Sequence, residues 1–307
     1  MHLGIYTHEA CGRHEMGAGH PESPRRLEAV LEGIRSAGVD DRLRWLEAPP
    51  ISREALLRVH PATHIDRIEQ AAPAEGLRSL DPDTAMNPFT LEAARRAVGA
   101  TVAAVDAIAA GEMERAFCAV RPPGHHAERE RPMGFCFFNN VACAAAHALA
   151  RGFSRVAILD FDVHHGNGTE DIFRDEPRVL FCSSFQHPFY PGTPLAQRSH
   201  LVHTPLAAGT DGDALLRAVA LQWWPAIDDF RPELILVSAG FDAHRDDPLA
   251  GLCLEEENFH RITAQIVEAA RRHAHGRIIS TLEGGYDLRA LKGSTRAHIR
   301  ALCGETP

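Results

Sequence analysis

Two aspartates and a histidine stand at alternate positions directly after an apolar run. Residues 155–160 (RVAILD) lead into a segment in which Asp160, Asp162 and His164 are two residues apart. In an extended chain such side chains point to the same side, and His165 points to the other, so His165 is given no ligand role. Three polar groups together are costly to bury unless something pairs with them. Their spacing therefore indicates a metal site.

Another ligand candidate follows a different apolar run. Residues 233–238 (ELILVS) precede Asp242. We expect Asp242 to lie just beyond the end of its strand, level with Asp162 beyond the end of the other strand. Asp162, His164 and Asp242 would leave coordination positions free for water and substrate, as a catalytic metal requires. Zn²⁺ fits these ligands best, and Fe²⁺ accepts the same ones. The alternative is that the aspartates cap a helix and the histidines pack.

Groups suited to proton transfer occur at two further turns. His125 and His126 follow a Pro-Pro-Gly turn, and histidine is the residue most easily tuned as a base or an acid near neutral pH. Asp160 and Asn167 are candidates to orient the two rings. Tyr286 follows a Gly-Gly turn, where a phenol can donate a hydrogen bond to a developing oxyanion. Taken singly, each of these groups also has a purely structural interpretation.

Short β-branched runs alternate with helical patterns over most of the chain. The predicted strands are residues 116–120, 155–160, 178–183, 233–238 and 277–282, and the predicted helices are residues 91–110, 211–224 and 255–272. This alternation predicts one α/β domain, over residues 1–307, around a mainly parallel sheet. Ligands bind such sheets beyond the carboxyl ends of the strands, where the candidate groups fall. Residues 73–88, rich in proline, glycine and polar residues, are predicted to form a surface loop.

The composition excludes several classes of function. The 307 residues carry a net charge of −9, which argues against binding nucleic acid through its phosphates. A single lysine, Lys292, argues against Schiff-base chemistry. No signal peptide and no apolar run of about 18 residues is present, so we expect a cytoplasmic protein outside the membrane. The seven cysteines form no C-x-x-C pair and are expected to be buried thiols.

Seven segments, in order along the chain, together resemble the zinc-dependent histone deacetylase family, including its class II-like bacterial amidohydrolases. They are residues 20–27 (HPESPRRL), 121–127 (RPPGHHA), 134–140 (GFCFFNN), 160–169 (DFDVHHGNGT), 190–193 (YPGT), 238–242 (SAGFD) and 283–286 (EGGY). The resemblance covers nearly the whole chain. It implies the arginase/deacetylase fold, a three-layer α/β/α arrangement around a mainly parallel sheet.

The resemblance implies a role for each residue around the metal. His126 would be the main general base and acid, with His125 as its electrostatic partner. Asp160 would orient His125, and Asn167 would hydrogen-bond His126. Many members carry aspartate at the position of Asn167, and a neutral amide supports a positive His126 less strongly. Tyr286 would polarise the acyl carbonyl. The zinc ligands would be Asp162, His164 and Asp242.

The same resemblance implies a substrate tunnel and a second cation. Phe135 and Tyr190 would flank an acyl-lysine-like stem, with Gly134 and Gly284 also in contact with the substrate. Arg26 matches an arginine beneath the zinc that interacts with released acetate. Family members often bind K⁺ near the zinc. The matching K⁺ positions are Asp160, Asp162, His164, Ser183 and Ser184.

The predicted reaction is zinc-dependent hydrolysis of an acyl amide, foremost of N6-acetyl-lysine in proteins or peptides. The nearest alternative is an acetylpolyamine or other small acyl-amine hydrolase. Polyamine-preferring relatives place a glutamate at the pocket rim, where this chain offers Leu252 as the equivalent. Two further alternatives are a non-catalytic acyl-lysine binding module and a ureohydrolase, which would need two Mn²⁺ ions.

Trp223 and Trp224 would face either the core or a second copy of the chain, so the sequence does not decide between a monomer and a homo-oligomer.

Overall fold

The computed structural model describes residues 2–306. Its strands are β1 (Leu3–Thr7), β2 (Leu43–Glu47), β3 (Arg78–Ser79), β4 (Ala85–Met86), β5 (Arg115–Cys118), β6 (Val156–Asp160), β7 (Val179–Gln186), β8 (Leu201–Leu206), β9 (Leu234–Ala239) and β10 (Ile278–Leu282). Its α-helices are α1 (Pro24–Arg35), α2 (Arg53–Leu56), α3 (Ala62–Ala71), α4 (Thr90–Ala109), α5 (Asn140–Ala150), α6 (Asn167–Phe173), α7 (Gly212–Phe230), α8 (Glu256–His273) and α9 (Leu288–Leu302).

Eight of the strands form one sheet in the order β2-β1-β5-β10-β9-β6-β7-β8, and every neighbouring pair is parallel. The central strands β5, β10, β9 and β6 are buried along their whole length. Helices α4 and α5 pack on each other and on the sheet, whereas α1, α8 and α9 form a second packed group, which α7 joins through α8. The predicted α/β fold with a mainly parallel sheet is confirmed. Across residues 2–306, no helix combines the length and apolarity needed to cross a membrane.

The five predicted strands and three predicted helices are all present, with bounds that differ by a few residues. Strand β7 runs to Gln186, three residues past its predicted end at Ser183, because its whole length is buried. Helix α7 runs through Pro225 to Phe230, beyond its predicted end at Trp224. Trp223 is fully buried in the core, and the indole N–H of Trp224 donates to Gln265.

Residues 73–88 are not simply a surface loop. Strands β3 and β4 pair there as a short antiparallel hairpin. Thr84 and Met86 are buried, and the Asp81 carboxylate accepts the backbone N–H groups of Asp83 and Thr84. The polar composition suggested solvent exposure, but Thr84 Oγ1 accepts the backbone N–H of Phe135, which holds the segment against another loop. The hairpin thereby fixes the position of Asp83.

Candidate metal-dependent active site

The predicted site residues converge at the carboxyl ends of four neighbouring strands. Asp160 is the last residue of β6, and Asp162 and His164 follow it. Asp242 lies just past the end of β9, next to β6 in the sheet. The loops after β5 and β10 supply the histidine pair and Tyr286. Parallel strands carry residues that are far apart in sequence to one edge of the sheet, which assembles the site.

Asp162, His164 and Asp242 form a compact set of ligand groups. One ligand atom from each lies within 4.8 Å of the others, and all three residues are buried. His164 Nδ1 is 3.0 Å from Asp162 Oδ1 and 3.3 Å from Asp242 Oδ2. Asp242 Oδ2 is buried without a hydrogen-bond partner. Burial alone would lower the pKa of His164, but the two carboxylates raise it to about 10. The set therefore attracts positive charge, and its donor atoms fit a divalent metal ion.

Backbone groups fix both carboxylates. Asp162 Oδ2 accepts the N–H of Gly284 at 2.8 Å, and Asp242 Oδ1 accepts the N–H of Val163 at 2.9 Å. A Cβ added at Gly284 would lie 1.9 Å from Asp242 Oδ2, so only glycine allows this close approach. Gly284 was predicted to contact substrate. The structure places it against the metal-ligand carboxylates, and it does not line the cavity described below.

His126 is held in one tautomer by its neighbour. Its Nδ1 is 2.7 Å from Asn167 Oδ1, while Asn167 Nδ2 donates to a carboxylate oxygen of Glu128 at 2.9 Å. Because the amide nitrogen faces Glu128, the amide oxygen faces the ring, so Nδ1 carries the proton. Burial, reinforced by His125 and His164, lowers the pKa of His126 well below its usual value. The ring is therefore neutral, with a free lone pair on Nε2.

His125 has the opposite electrostatic environment. Its Nδ1 is 3.0 Å from Asp160 Oδ2, and its Nε2 is 3.7 Å from Asp162 Oδ1. Burial alone would lower the pKa of His125, but Asp162 and Asp160 raise it well above its usual value. The centroids of the His125 and His126 rings are only 4.0 Å apart. Two consecutive residues thus give one cationic and one neutral imidazole.

A cavity of about 190 Å³ leads to these groups. Phe135 and Tyr190, predicted to flank a tunnel, lie in its wall. Phe189, which no sequence motif indicated, also lies in the wall, and its ring stacks on His164 with centroids 5.5 Å apart. Leu252, predicted to lie at the rim, is buried and does not line this cavity, whereas Leu249 does. The lining residues are Asp83, His126, Gly134, Phe135, His164, Phe189, Tyr190, Leu249 and Tyr286.

Tyr286 and Arg26 are stacked beneath the cavity. The Arg26 guanidinium carbon lies 4.7 Å from the centroid of the Tyr286 ring, and Arg26 itself is fully buried. Arg26 donates to Glu22 and to two backbone carbonyls in the loop after β10. Burial raises the pKa of Tyr286 well above its usual value, although Arg26 opposes that shift. The phenol therefore keeps its proton and serves as a hydrogen-bond donor.

Two serines predicted as K⁺ positions lie beside the metal-ligand loop. Ser183 of β7 is paired in register with Asp160 of β6, and Ser184 follows. Both hydroxyl groups are buried without a hydrogen-bond partner. A K⁺ ion at this place stays a prediction.

The histone deacetylase domain family matches residues 20–302. The chain belongs to the histone deacetylase family. Its relatives include the histone deacetylase-like amidohydrolase of Pseudomonas aeruginosa, 44% identical over 88% of this chain and 73% of that protein. A probable deacetylase of Archaeoglobus fulgidus is 35% identical over 99% of this chain and 87% of that protein. These names support a hydrolase.

A solved structure of the histone deacetylase family shares the whole architecture. The HD domain of HDA15 superposes with a TM-score of 0.93 at 34% sequence identity. The match covers 100% of this chain and 91% of that one. The arginase/deacetylase fold predicted from the sequence motifs is therefore confirmed.

Proposed function

We propose that the chain is a zinc-dependent amidohydrolase that removes an acyl group, foremost acetyl, from the ε-amine of lysine in proteins or peptides. The proposal rests on one juxtaposition. A neutral imidazole with a free Nε2 (His126), a protonated phenol (Tyr286) and a cation-attracting ligand set meet at one cavity with aromatic walls.

Each group has a task in amide hydrolysis. Asp162, His164 and Asp242 would hold Zn²⁺, which when bound supplies a Lewis acid for the acyl carbonyl and the attacking water. His126 Nε2 takes the proton of that water, since its Nδ1 is already committed to Asn167. Tyr286 donates a hydrogen bond to the oxyanion that forms on the carbonyl oxygen.

The leaving amine must be protonated before the product departs. His126 holds the proton that it removed from water, and the cationic His125 lies beside it. The pair can therefore return a proton to the amine nitrogen. The cation on His125 also opposes the charging of His126, which keeps the first proton transfer reversible.

The walls of the cavity favour a lysine side chain. Phe135, Phe189 and Tyr190 offer apolar faces to its methylene groups, and the partly exposed Asp83 can accept N–H groups of a peptide backbone. Leu249 offers no charge to the second amine of a polyamine, so Asp83 is the carboxylate in the wall that such an amine could meet. Because all seven cysteines are free, the protein suits a reducing compartment, which supports a cytoplasmic location.

A panel of acetylated and longer-chain acylated lysine peptides, run beside acetylated putrescine, tests the proposal. The zinc-loaded protein should deacetylate the peptides, and a chelator should abolish the activity. Tyr286→Phe should reduce kcat by about 10²–10³-fold without unfolding the protein. Preference for acetylated putrescine would instead identify a polyamine hydrolase. Tight peptide binding without turnover would identify a binding module, and unchanged activity in Tyr286→Phe would contradict the mechanism.

A further inference from the structure

Outside the active site, two histidines and a glutamate converge on a second buried point. His165 follows the metal ligand His164, Glu170 lies in α6, and His203 lies in β8. Glu170 Oε2 is 3.0 Å from His165 Nε2 and 2.5 Å from His203 Nε2. The three side chains are only 4%, 3% and 11% exposed for His165, Glu170 and His203. Three separate elements thus contribute one ligand-type atom each.

Hydrogen bonding alone does not account for this arrangement. His165 is almost fully buried, yet neither of its ring nitrogens has a hydrogen-bond partner, although Nε2 is close to the carboxylate. The other oxygen of Glu170 is already used, because Oε1 accepts the backbone N–H of Ala196 at 2.7 Å. That contact turns Oε2 towards the two imidazoles. A buried Nε2 that meets a carboxylate outside hydrogen-bond geometry is costly, and it indicates a missing partner between the two groups.

We propose that His165 Nε2, His203 Nε2 and Glu170 Oε2 bind a divalent transition-metal ion of the zinc class at a second site. Two imidazoles and one carboxylate are a common donor set for Zn²⁺. Metal–ligand bonds of about 2.0–2.1 Å around a tetrahedral ion place neighbouring ligand atoms about 3.3 Å apart. The His165 contact is already near that value, and His203 would move outward by less than about 1 Å.

A small cavity lies beside one of the three ligands. Its volume of about 10 Å³ is close to what one water molecule needs, and it borders His165 but neither Glu170 nor His203. Phe189 and Tyr190, which line the substrate cavity, also border this small cavity. The second ion would therefore tie β8 and α6 together behind the wall that holds the substrate stem.

The second site shares no ligand with Asp162, His164 and Asp242. It therefore differs from the paired ions of a ureohydrolase, which are bridged by common carboxylates. A count of two metal ions per chain would not by itself show where each ion binds. Variants of each ligand set are needed to assign the two ions.

Zinc titration of the full-length protein against a chromophoric chelator tests the proposal. The wild type should bind two equivalents of Zn²⁺. His203→Asn and Glu170→Gln should each bind one equivalent and retain acyl-lysine hydrolysis, whereas Asp242→Asn should lose the other equivalent together with the activity. His147→Asn is a matched control, since His147 is 12% exposed and lies 2.8 Å from the carboxylate of Asp106 without a second imidazole. That variant should bind two equivalents.

Zinc-edge anomalous diffraction from crystals of the zinc-loaded wild type does not depend on how the variants fold. A second anomalous peak among His165, Glu170 and His203 is expected. A single zinc equivalent in the wild type at micromolar free Zn²⁺ would overturn the proposal. Retention of the second equivalent in both His203→Asn and Glu170→Gln would also overturn it.

Discussion

Two buried charged regions support this active site, and only one of them gives every charged group a hydrogen-bond partner. In the ligand set, Asp162 and Asp242 bring two carboxylates to one imidazole. In the second region, which we call the arginine cluster, Glu22 is paired with Arg121 and Arg26, and all three side chains have no exposure to solvent. In the ligand set, Asp242 Oδ2 has no hydrogen-bond partner. Buried charged atoms without partners are retained at a cost in stability, so the ligand set is the region that we expect to bind a ligand.

The arginine cluster has a structural task that the ligand set lacks. Arg121 donates to Glu22 and to the backbone carbonyls of Cys11 and His14, while Arg26 donates to carbonyls in the loop after β10. The histidine pair follows Arg121 in the chain, and Tyr286 belongs to the loop that Arg26 holds. A region whose charged groups are all hydrogen-bonded thus positions the groups around a region with an unpaired carboxylate oxygen.

Asp242→Asn should produce the largest change in activity. The variant keeps an oxygen that can accept the N–H of Val163 but removes one of the two carboxylates. We expect the catalytic metal to be lost and kcat/KM to fall by about 10³-fold or more. Because a repulsive buried charge is also removed, the free energy of unfolding of the metal-free protein should not fall. Chemical denaturation with and without chelator measures this, and a clear loss of metal-free stability would contradict the contrast between the two regions.

Glu22→Gln should lower the stability of the metal-free protein, which Asp242→Asn should not do. The change leaves two buried arginines without their counter-charge. We expect a loss of about 3–5 kcal/mol in the free energy of unfolding, measured by urea denaturation. Glu54→Gln is the control, because Glu54 is 87% exposed and its contact with Arg58 is long, at 3.6 Å. That control should change stability little.

Glu22 should also make the free energy of unfolding depend on pH in the acidic range. Burial alone would raise the pKa of Glu22, but Arg121, His14 and Arg26 hold it well below the usual range. The unfolded chain therefore takes up a proton near pH 4.3 while the folded protein does not. The stability that Glu22 provides is present above that pH and is lost as the pH falls towards the folded pKa. Glu22→Gln should flatten this part of the profile, and an unchanged acid profile would contradict the assignment.

The contrast also explains what the sequence could predict. Asp160, Asp162 and His164 follow one strand at alternate positions, so the period of a β-strand and the meeting of parallel strands were enough to group them with Asp242. Glu22 and Arg121 are 99 residues apart, and nothing in their local sequence pairs them. Residues placed by a strand end were predictable, whereas residues placed by long-range contacts were not.

The residues of the cavity wall were also difficult to predict from local sequence. The position of Asp83 is set by a hairpin within a segment that the sequence predicted as a loop. The position of Phe189 is set by the residue at which β7 ends. Leu252 was named as the equivalent of the rim glutamate in polyamine-preferring relatives, and nothing in the spacing after Asp-Pro indicated that Leu249 lines the cavity. His203 was not predicted as a ligand, because a lone histidine in β8 becomes a candidate ligand only when folding brings it to Glu170.

Asn167→Asp should reduce the pKa difference between the two neighbouring imidazoles, His125 and His126. A carboxylate in place of the amide should raise the pKa of His126, because it stabilises the imidazolium. The acid limb of kcat/KM requires neutral His126, so it should move to higher pH by about one unit. The new carboxylate would face Glu128, which now accepts the Asn167 amide N–H.

The double variant Asn167→Asp, Glu128→Gln removes that repulsion and serves as the control. It should move the acid limb at least as far as Asn167→Asp alone. The measurement is the pH profile of kcat/KM with zinc saturating. A limb that stays in place in both variants would show that His126 is not the group whose deprotonation limits the reaction.

Asp83→Ala should have the smallest effect and should depend on the substrate. Asp83 is partly exposed and lies outside both charged regions, so its loss should leave metal content unchanged and should lower stability only by the hydrogen bond that its carboxylate accepts from the Thr84 hydroxyl. If its carboxylate accepts backbone N–H groups, kcat/KM for acetyl-lysine peptides should fall about fivefold, as expected for a hydrogen bond worth about 1 kcal/mol. A small acetylated amine without backbone amides should be hydrolysed as before. Equal losses for the peptide and the small amine would assign Asp83 to the shape of the cavity, because only backbone recognition separates the two substrates.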